Sequence, residues 1–271
     1  MKRITFVAAA ALAGVLLLAC ACSPKITGAA SPKFLPVSEI STLAYDTIPQ
    51  WELPEDSLYM NCPEPNFSNI LPPPDSSSPA FQKDLERYKW GKQQRSTPRG
   101  KQASYESLYG IVRMATIYSD LLGFVIHPST TPAIYRLMLY SGETAYRNTM
   151  AIKDKHKRKR PFELMGEDIW GEFDGDYLRG DGSYPSGHSA LGWTTALVLA
   201  EIAPEYKEQI LERGRQYGES RVIVGAHWQS DVDAGYMIGA STFDAIQNDP
   251  RYKLHLQEAR KEYQTLKNNS H

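Results

Sequence analysis

The chain contains 271 residues, of which 42% are hydrophobic and 11% aromatic, so it can bury a full core within one domain or at most two. This composition excludes the disordered class of proteins. The 30 basic and 31 acidic residues nearly cancel, so no overall electrostatic field indicates a nucleic-acid or membrane partner.

Residues 1–21 have the layout of a secretory signal peptide, because Lys2 and Arg3 precede an apolar stretch that ends in small residues. The stretch is too short for a membrane span. Two processing outcomes stay open. Cleavage after the small residues gives an exported, periplasmic protein, whereas residues 17–20 resemble a bacterial lipobox that would anchor the protein through Cys20.

Cysteines are scarce: Cys20 and Cys22 lie at the processing site, and Cys62 is the remaining one. This number excludes a disulfide framework, and it excludes zinc sites built from four cysteines or from cysteine pairs with histidines. Cys22 can pair with Cys62, and an unpaired Cys62 in a loop is the alternative.

Residues 22–79 are rich in proline and serine, which is typical of an extended leader laid over a domain or of partial disorder. Residues 80–271 show helical hydrophobic spacing instead. Alternating strand patterns are scarce, so the sequence predicts an all-α, single-domain helical bundle. A loop is expected over 162–184, and helices over 81–90, 104–126, 131–160, 190–203, 204–225, 230–248 and 250–267. Ser230 and Asp233 have the spacing of a capping box for the helix that starts near them.

The first chemically suggestive stretch is the basic run KDKHKRKRP at residues 153–161. Such runs are usually solvated faces or nucleic-acid-binding surfaces. On the predicted helix, however, Lys153 and Arg160 are two turns apart and point to the same side of the helix, so both can bind one anion.

The second stretch is PSGH at residues 185–188, directly before an apolar helix. A helix N-terminus carries unpaired N–H groups that bind phosphate, and Gly187 is expected to let a ligand approach the backbone. Ser186 can add a hydroxyl donor, and His188 can act as a proton donor beside the anion. The alternative is that Ser186 is only a helix cap and His188 a bystander.

The third stretch is SRVIVGAHWQSD at residues 220–231. Arg221 can bind an oxyanion through two N–H groups. Asp231 follows His227 by four residues, so its carboxylate can accept the proton on one ring nitrogen and leave the other as a nucleophile. Half of a metal site, or a carboxylate that only caps the last long helix, are the alternatives.

Together, the three stretches resemble the signature of the type-2 phosphatidic acid phosphatase superfamily: lysine, six residues, arginine-proline; then proline-serine-glycine-histidine; then serine-arginine, five residues, histidine, three residues, aspartate. Every signature position is matched. The segments LPPP, GSYPSGHS and HWQSDVDAG are similar to those of bacterial class A nonspecific acid phosphatases, over about residues 70–265. Ser189 replaces the usual threonine, and Val224 replaces a cysteine that many relatives carry.

This resemblance implies the helical fold of the acid phosphatases and vanadium haloperoxidases. It assigns the phosphate-binding positions to Lys153, Arg160, Ser186, Gly187, His188 and Arg221.

The resemblance also implies a mechanism. His227 attacks phosphorus and forms a phosphohistidine, Asp231 fixes the tautomer of His227, and His188 protonates the leaving alkoxide. No metal or other cofactor is expected. The expected ligands are small phosphomonoesters, with phosphate or vanadate as inhibitors and no nucleic acid. The family pattern also favours a homodimer.

Three other functions are weighed. A vanadium-dependent haloperoxidase shares the motifs, but the match outside them favours the phosphatase. Membrane lipid phosphatases share them too, but no apolar run beyond the signal reaches about 18 residues. A nucleic-acid-binding module built on the basic helix would show salt-sensitive duplex binding without phosphatase activity.

Overall fold

The structure, a computed structural model, describes residues 59, 65–108, 110–171 and 175–268, all of which belong to one compact unit, Ser31–His271. The described ranges contain helices and no strand, which confirms the predicted all-α class. The helices are α1 (Pro79–Gln94), α2 (Pro98–Tyr105), α3 (Ile111–Leu122), α4 (Pro132–His156), α5 (Pro161–Leu164), α6 (Gly187–Ile202), α7 (Lys207–Ile223), α8 (Gln229–Ile246) and α9 (Pro250–Asn268). Short 3-10 helices cover Asp176–Leu178 and Pro204–Tyr206.

Helix α6 is the central element, because α4, α7 and α8 all pack against it. It is apolar on nearly every side, and 13 of its 16 residues are buried, as expected for a helix surrounded by others. On α8, a Cβ atom at Gly235 would lie 2.5 Å from the Ser186 carbonyl oxygen. Glycine at this position therefore allows α8 to approach the N-terminus of α6, where the second motif lies.

The helix predicted over residues 104–126 is wrong in its bounds. Helix α2 ends at Tyr105, and α3 begins only after Gly110, whose φ of 127° is accessible to glycine and not to most other residues. Gly123 adopts a left-handed conformation and ends α3, so Val125 lies outside it. Helix α2 was not predicted, although Thr97 caps it and Pro98 occupies its first turn.

Helix α4 also ends earlier than predicted. Lys157 adopts a left-handed conformation (φ 45°) and its N–H donates to the Lys153 carbonyl, so the helix stops at His156. Arg160 precedes Pro161 and is extended, as residues before proline usually are. Lys153 and Arg160 therefore do not share a helix face, and the chain reversal after α4 brings them to the same site instead.

The predicted capping box of Ser230 and Asp233 is wrong as well. The N-cap of α8 is Trp228, and its N–H donates to the Asp231 carboxylate at 2.8 Å. The Ser230 hydroxyl donates to Asp84 at 2.6 Å instead. Asp231 thus caps α8, which was one of the alternatives for this residue.

Several predictions concern residues outside the described ranges: the signal peptide at 1–21, the lipid anchor at Cys20, the Cys22–Cys62 pair, and most of the leader. Tyr59 is described, and it is fully buried in the largest hydrophobic cluster. Its N–H donates to Thr144 Oγ1 at 3.1 Å, and its hydroxyl lies 2.6 Å from His255 Nδ1.

No helix within the described ranges combines the length and the apolar character that a bilayer span requires.

Candidate active site

The three sequence motifs meet at one place in the bundle. The first lies at the end of α4 and the start of α5, the second at the N-terminus of α6, and the third between α7 and α8. Direct contacts join them: Arg160 Nη1 lies 3.1 Å from His227 Nε2, and the Ser186 N–H donates to the Asp231 carbonyl at 2.9 Å. The predicted site residues of the three motifs are buried, and each of the following is at most 5% exposed: Lys153, Arg160, Ser186, His188, Arg221, His227 and Asp231.

Arg160 is held at the centre of this cluster by all five of its N–H groups. Nε donates to the Asp181 carbonyl and Nη1 to the Ala226 carbonyl, each at 3.0 Å. The second Nη1 proton faces His227 Nε2. Nη2 donates to the Asp181 carboxylate at 2.8 Å and to the Gly182 carbonyl at 3.5 Å. The basic run is therefore not a solvated face at this position.

Lys153 and Arg221 add two more buried cations. Lys153 Nζ donates to the Gly182 carbonyl at 2.5 Å. Burial, reinforced by the charge of Arg160, lowers the pKa of Lys153 to about 8. Arg221, in the last turn of α7, donates from Nη1 to the Ser107 carbonyl at 2.8 Å.

The ring of His227 is oriented by a carbonyl, which corrects the prediction that Asp231 accepts its proton. Nδ1 lies 2.8 Å from the Ser183 carbonyl and 3.6 Å from Asp231 Oδ2. Because a carbonyl can only accept, Nδ1 carries the proton, and the Nε2 lone pair of the neutral ring accepts from Arg160 Nη1 at 3.1 Å. Burial and then the Arg160 charge hold the pKa of His227 well below its ordinary value.

His188 lies in the first turn of α6 and stacks on the ring of Tyr217, with centroids 4.9 Å apart. Its Nε2 lies 3.1 Å from the Glu106 carbonyl. Burial, followed by the charge of Arg221, keeps the pKa of His188 well below its ordinary value. Protonation of the ring is therefore disfavoured in the enzyme without an anion, whereas a proton donor is needed when substrate is bound.

Ser186 caps α6, and its hydroxyl can also donate a hydrogen bond. Its hydroxyl oxygen accepts from the Ser189 N–H at 3.2 Å and from the Ser189 hydroxyl at 2.9 Å. The proton of Ser186 itself is then left for another acceptor, since a hydroxyl has one donor and two acceptor sites. Ser186 can therefore act as a helix cap and as a hydroxyl donor at the same time.

Gly187 has a packing role besides the predicted one. A Cβ atom at this position would lie 2.5 Å from Cδ2 of Tyr146 on α4. The missing side chain therefore allows α6 to pack against that ring, in addition to leaving the backbone N–H groups at the helix start.

Sequence reasoning missed Arg158 as a site residue. Its Nη1 donates to Asp231 Oδ1 at 2.6 Å and its Nη2 to Asp84 Oδ2 at 2.7 Å, so one guanidinium, on a side chain that is 10% exposed, bridges two buried carboxylates. Burial raises the pKa of Asp231, and the Arg158 charge opposes this rise. Arg158 was visible in the basic run, whereas its pairing with Asp84 spans 74 residues and leaves no local signal.

Glu106 was missed for the same reason. Its carboxylate is fully buried and accepts from the Ser220 hydroxyl at 2.5 Å and from the Arg213 guanidinium. These bonds fix the turn after α2, whose carbonyls contact His188 and Arg221.

Comparison with known proteins places this site in a family. The PAP2 superfamily pattern matches residues 133–252, which contain all three motifs. The non-specific acid phosphatase of Providencia stuartii is 39% identical over 202 residues, which cover 73% of this chain and 80% of that protein. The non-specific acid phosphatase of Salmonella typhimurium is 37% identical, covering 84% and 90%. The acid phosphatase of Zymomonas mobilis is 32% identical, covering 74% and 76%.

The helical fold and the three converging motifs define a phosphatase of the PAP2 superfamily. Within that superfamily, the chain belongs to the non-specific acid phosphatases.

The bridge through Arg158 predicts a large effect on stability. Arg158→Met leaves two buried carboxylates without their cation, and we expect the free energy of unfolding to fall by about 3–5 kcal/mol. Denaturant unfolding measures this loss. Arg179→Met is the matched control, because the half-exposed Arg179 also joins two aspartates but on the surface, where we expect less than about 1 kcal/mol. Equal losses in the two variants would contradict the bridging role.

The depressed pKa values of His188 and His227 predict instability in acid. The unfolded chain binds protons at these histidines below about pH 6.5, while the folded chain resists them. The stability that depends on these two histidines is therefore fully present above that pH, and each histidine removes about 1.4 kcal/mol per pH unit as the pH falls toward its folded pKa. Denaturant unfolding at pH 7 and pH 5 tests this slope, which His227→Asn should reduce. A variant with the wild-type slope would contradict the expectation.

Proposed function

We propose that this phosphatase hydrolyses small phosphomonoesters through a phosphohistidine at His227, with side-chain cations in place of a metal ion. The proposal assigns phosphate binding to Lys153, Arg160, Arg221, the Ser186 hydroxyl and the N–H groups of Gly187 and His188. A phosphoryl group offers little covalent chemistry to exploit, so holding it and spreading its charge is the main task of such a site. Phosphate and vanadate are then expected to inhibit by occupying the same place.

The observation that supports the nucleophile is the tautomer of His227. With the Nδ1 proton donated to the Ser183 carbonyl, the Nε2 lone pair faces Arg160, one of the cations assigned to phosphate. Attack forms the Nε2–P bond and breaks the ester P–O bond. The ring then becomes positively charged, and Asp231 Oδ2 at 3.6 Å from Nδ1 stabilises that charge.

His188 is proposed as the general acid, and its burial explains an acid optimum. A bound phosphate offsets the charge of Arg221, so the pKa of His188 rises when substrate enters. Low pH favours this protonation, whereas attack needs His227 in its neutral form, so the rate is expected to pass through a maximum as the pH falls. His188 then gives its proton to the leaving alkoxide and afterwards takes one from the water that attacks phosphorus and breaks the Nε2–P bond.

We also propose that the protein is exported to the periplasm. The charged and apolar pattern of residues 1–21 supports export, with a lipid on Cys20 as the alternative mature form. The mass of the mature N-terminal peptide separates the two. A homodimer is proposed from the family pattern alone, and sedimentation tests it.

The phosphohistidine predicts a trappable intermediate. Rapid quenching of the enzyme with a labelled aryl phosphate, in the presence of a chelator, should give label on His227 that is stable in alkali and lost in acid. His227→Ala should abolish label and turnover. His127→Ala is the control, because His127 lies in a loop that the site does not use, and it should label normally. An acyl phosphate, or activity that disappears with the chelator, would contradict the proposal.

The dual role of Ser186 predicts unequal effects at two neighbouring serines. Ser186→Ala should lower kcat by about 10² to 10³, the usual cost of losing one donor to a developing oxyanion. Ser189→Ala removes the one hydrogen bond that the Ser189 hydroxyl donates to Ser186 but leaves the Ser186 donor in place, so kcat should fall much less. Similar kcat values for wild type and Ser186→Ala would show that the hydroxyl serves only as a cap.

A further inference from the structure

The geometry points to Asp181 as an internal competitor for the phosphate site: its carboxylate binds the anion-binding side chains when no phosphate is present and must leave when phosphate enters. This inference rests on the proposed phosphate-binding role of Arg160 and Lys153. It assigns Asp181 to neither proton transfer nor phosphoryl transfer. The role assigned to it is to set the affinity of the site for substrate and product.

The position of Asp181 is unlike that of the other groups in the cluster. Its Oδ2 lies 2.8 Å from Arg160 Nη2 and 4.0 Å from Lys153 Nζ, so one carboxylate faces two of the three proposed phosphate-binding cations. The Asp181 side chain is 45% exposed, whereas those of Arg160 and Lys153 are 2% and 6% exposed. A buried pair of cations is thus compensated by an anion that can move into solvent.

Arg160 cannot bind a phosphate oxygen without giving up an existing partner, because all five of its N–H groups are occupied. Three of its acceptors are backbone carbonyls, of Asp181, Gly182 and Ala226, which the chain fixes in place. A fourth is His227 Nε2, the proposed attacking atom. The remaining acceptor is the Asp181 carboxylate, the one acceptor that both carries charge and can rotate away.

Electrostatics favours the same exchange. A phosphate dianion at Arg160 and Lys153 would lie beside the Asp181 carboxylate, and like charges at such distances repel each other. The carboxylate leaves when the phosphate binds and returns when the phosphate departs. It therefore weakens the binding of the product and helps to release it.

The test compares two substitutions that each remove one negative charge. Asp181→Asn keeps a side-chain oxygen that can accept from Arg160, so the fold is preserved while the competing charge is lost. Asp168→Asn is the matched control, because Asp168 is 93% exposed and pairs with Arg179 on the surface at 2.7 Å. The full chain is titrated with inorganic phosphate by calorimetry, and KM and kcat are measured with an aryl phosphate.

We expect Asp181→Asn to bind phosphate about 1.4-fold to fivefold more tightly than wild type, the range for losing one partly exposed ion pair. KM should fall in proportion, and kcat should not rise, because the product leaves less readily. Asp168→Asn should match wild type. Asp181→Ala, which removes the acceptor altogether, should also bind phosphate more tightly.

The outcomes separate the inference from the function on which it rests. If phosphate binds wild type, and Asp181→Asn and Asp181→Ala bind it no more tightly than wild type does, the inference is overturned. Weaker binding by these variants would show that Asp181 orients Arg160 instead. If phosphate does not bind wild type in competition with substrate, the phosphate site itself is wrong, and the inference fails with it.

Discussion

The structure depends on one electrostatic constraint, which is the burial of three cations beside two histidines whose protonation is disfavoured. Lys153, Arg160 and Arg221 are all almost inaccessible to water. Burial of Lys153 and of both histidines, and then the charges of the neighbouring arginines, hold the pKa values of these three groups below their ordinary values. Such a cluster is costly unless an anion or a set of carbonyls compensates it. Backbone carbonyls and the Asp181 carboxylate compensate much of the charge here, and the remaining positive charge favours the binding of an anion.

The surrounding bundle supplies rigidity rather than further chemistry. Arg158 ties Asp231 to Asp84, and Asp231 in turn caps α8, so the start of α8 and the chain after α4 are held together by charged hydrogen bonds. The buried Glu106 does the same for the turn after α2. None of these side chains is assigned to phosphate binding. They hold in place the segments that contact His227, His188 and Arg221, which is the support that a preorganised site requires.

The sequence predicted the fold class and the three motifs, since helical periodicity and the exact motif spacings are local properties of the chain. It did not predict how the motifs meet. Lys153 and Arg160 were expected on one helix face, yet Lys157 ends the helix and the two residues meet through a reversal of the chain. The partner of His227 Nδ1 is the Ser183 carbonyl, 44 residues away, and backbone carbonyls leave no signature in a sequence. Contacts of this kind, like the Arg158–Asp84 pair, arise only from tertiary packing.

The most direct test of the central claim is a crystal structure of the enzyme with orthovanadate, which mimics a phosphoryl group in transfer. The account predicts vanadium bonded to Nε2 of His227, with its oxygens in contact with Lys153, Arg160 and Arg221. Vanadium bonded to His188, or bound away from these three cations, would contradict it.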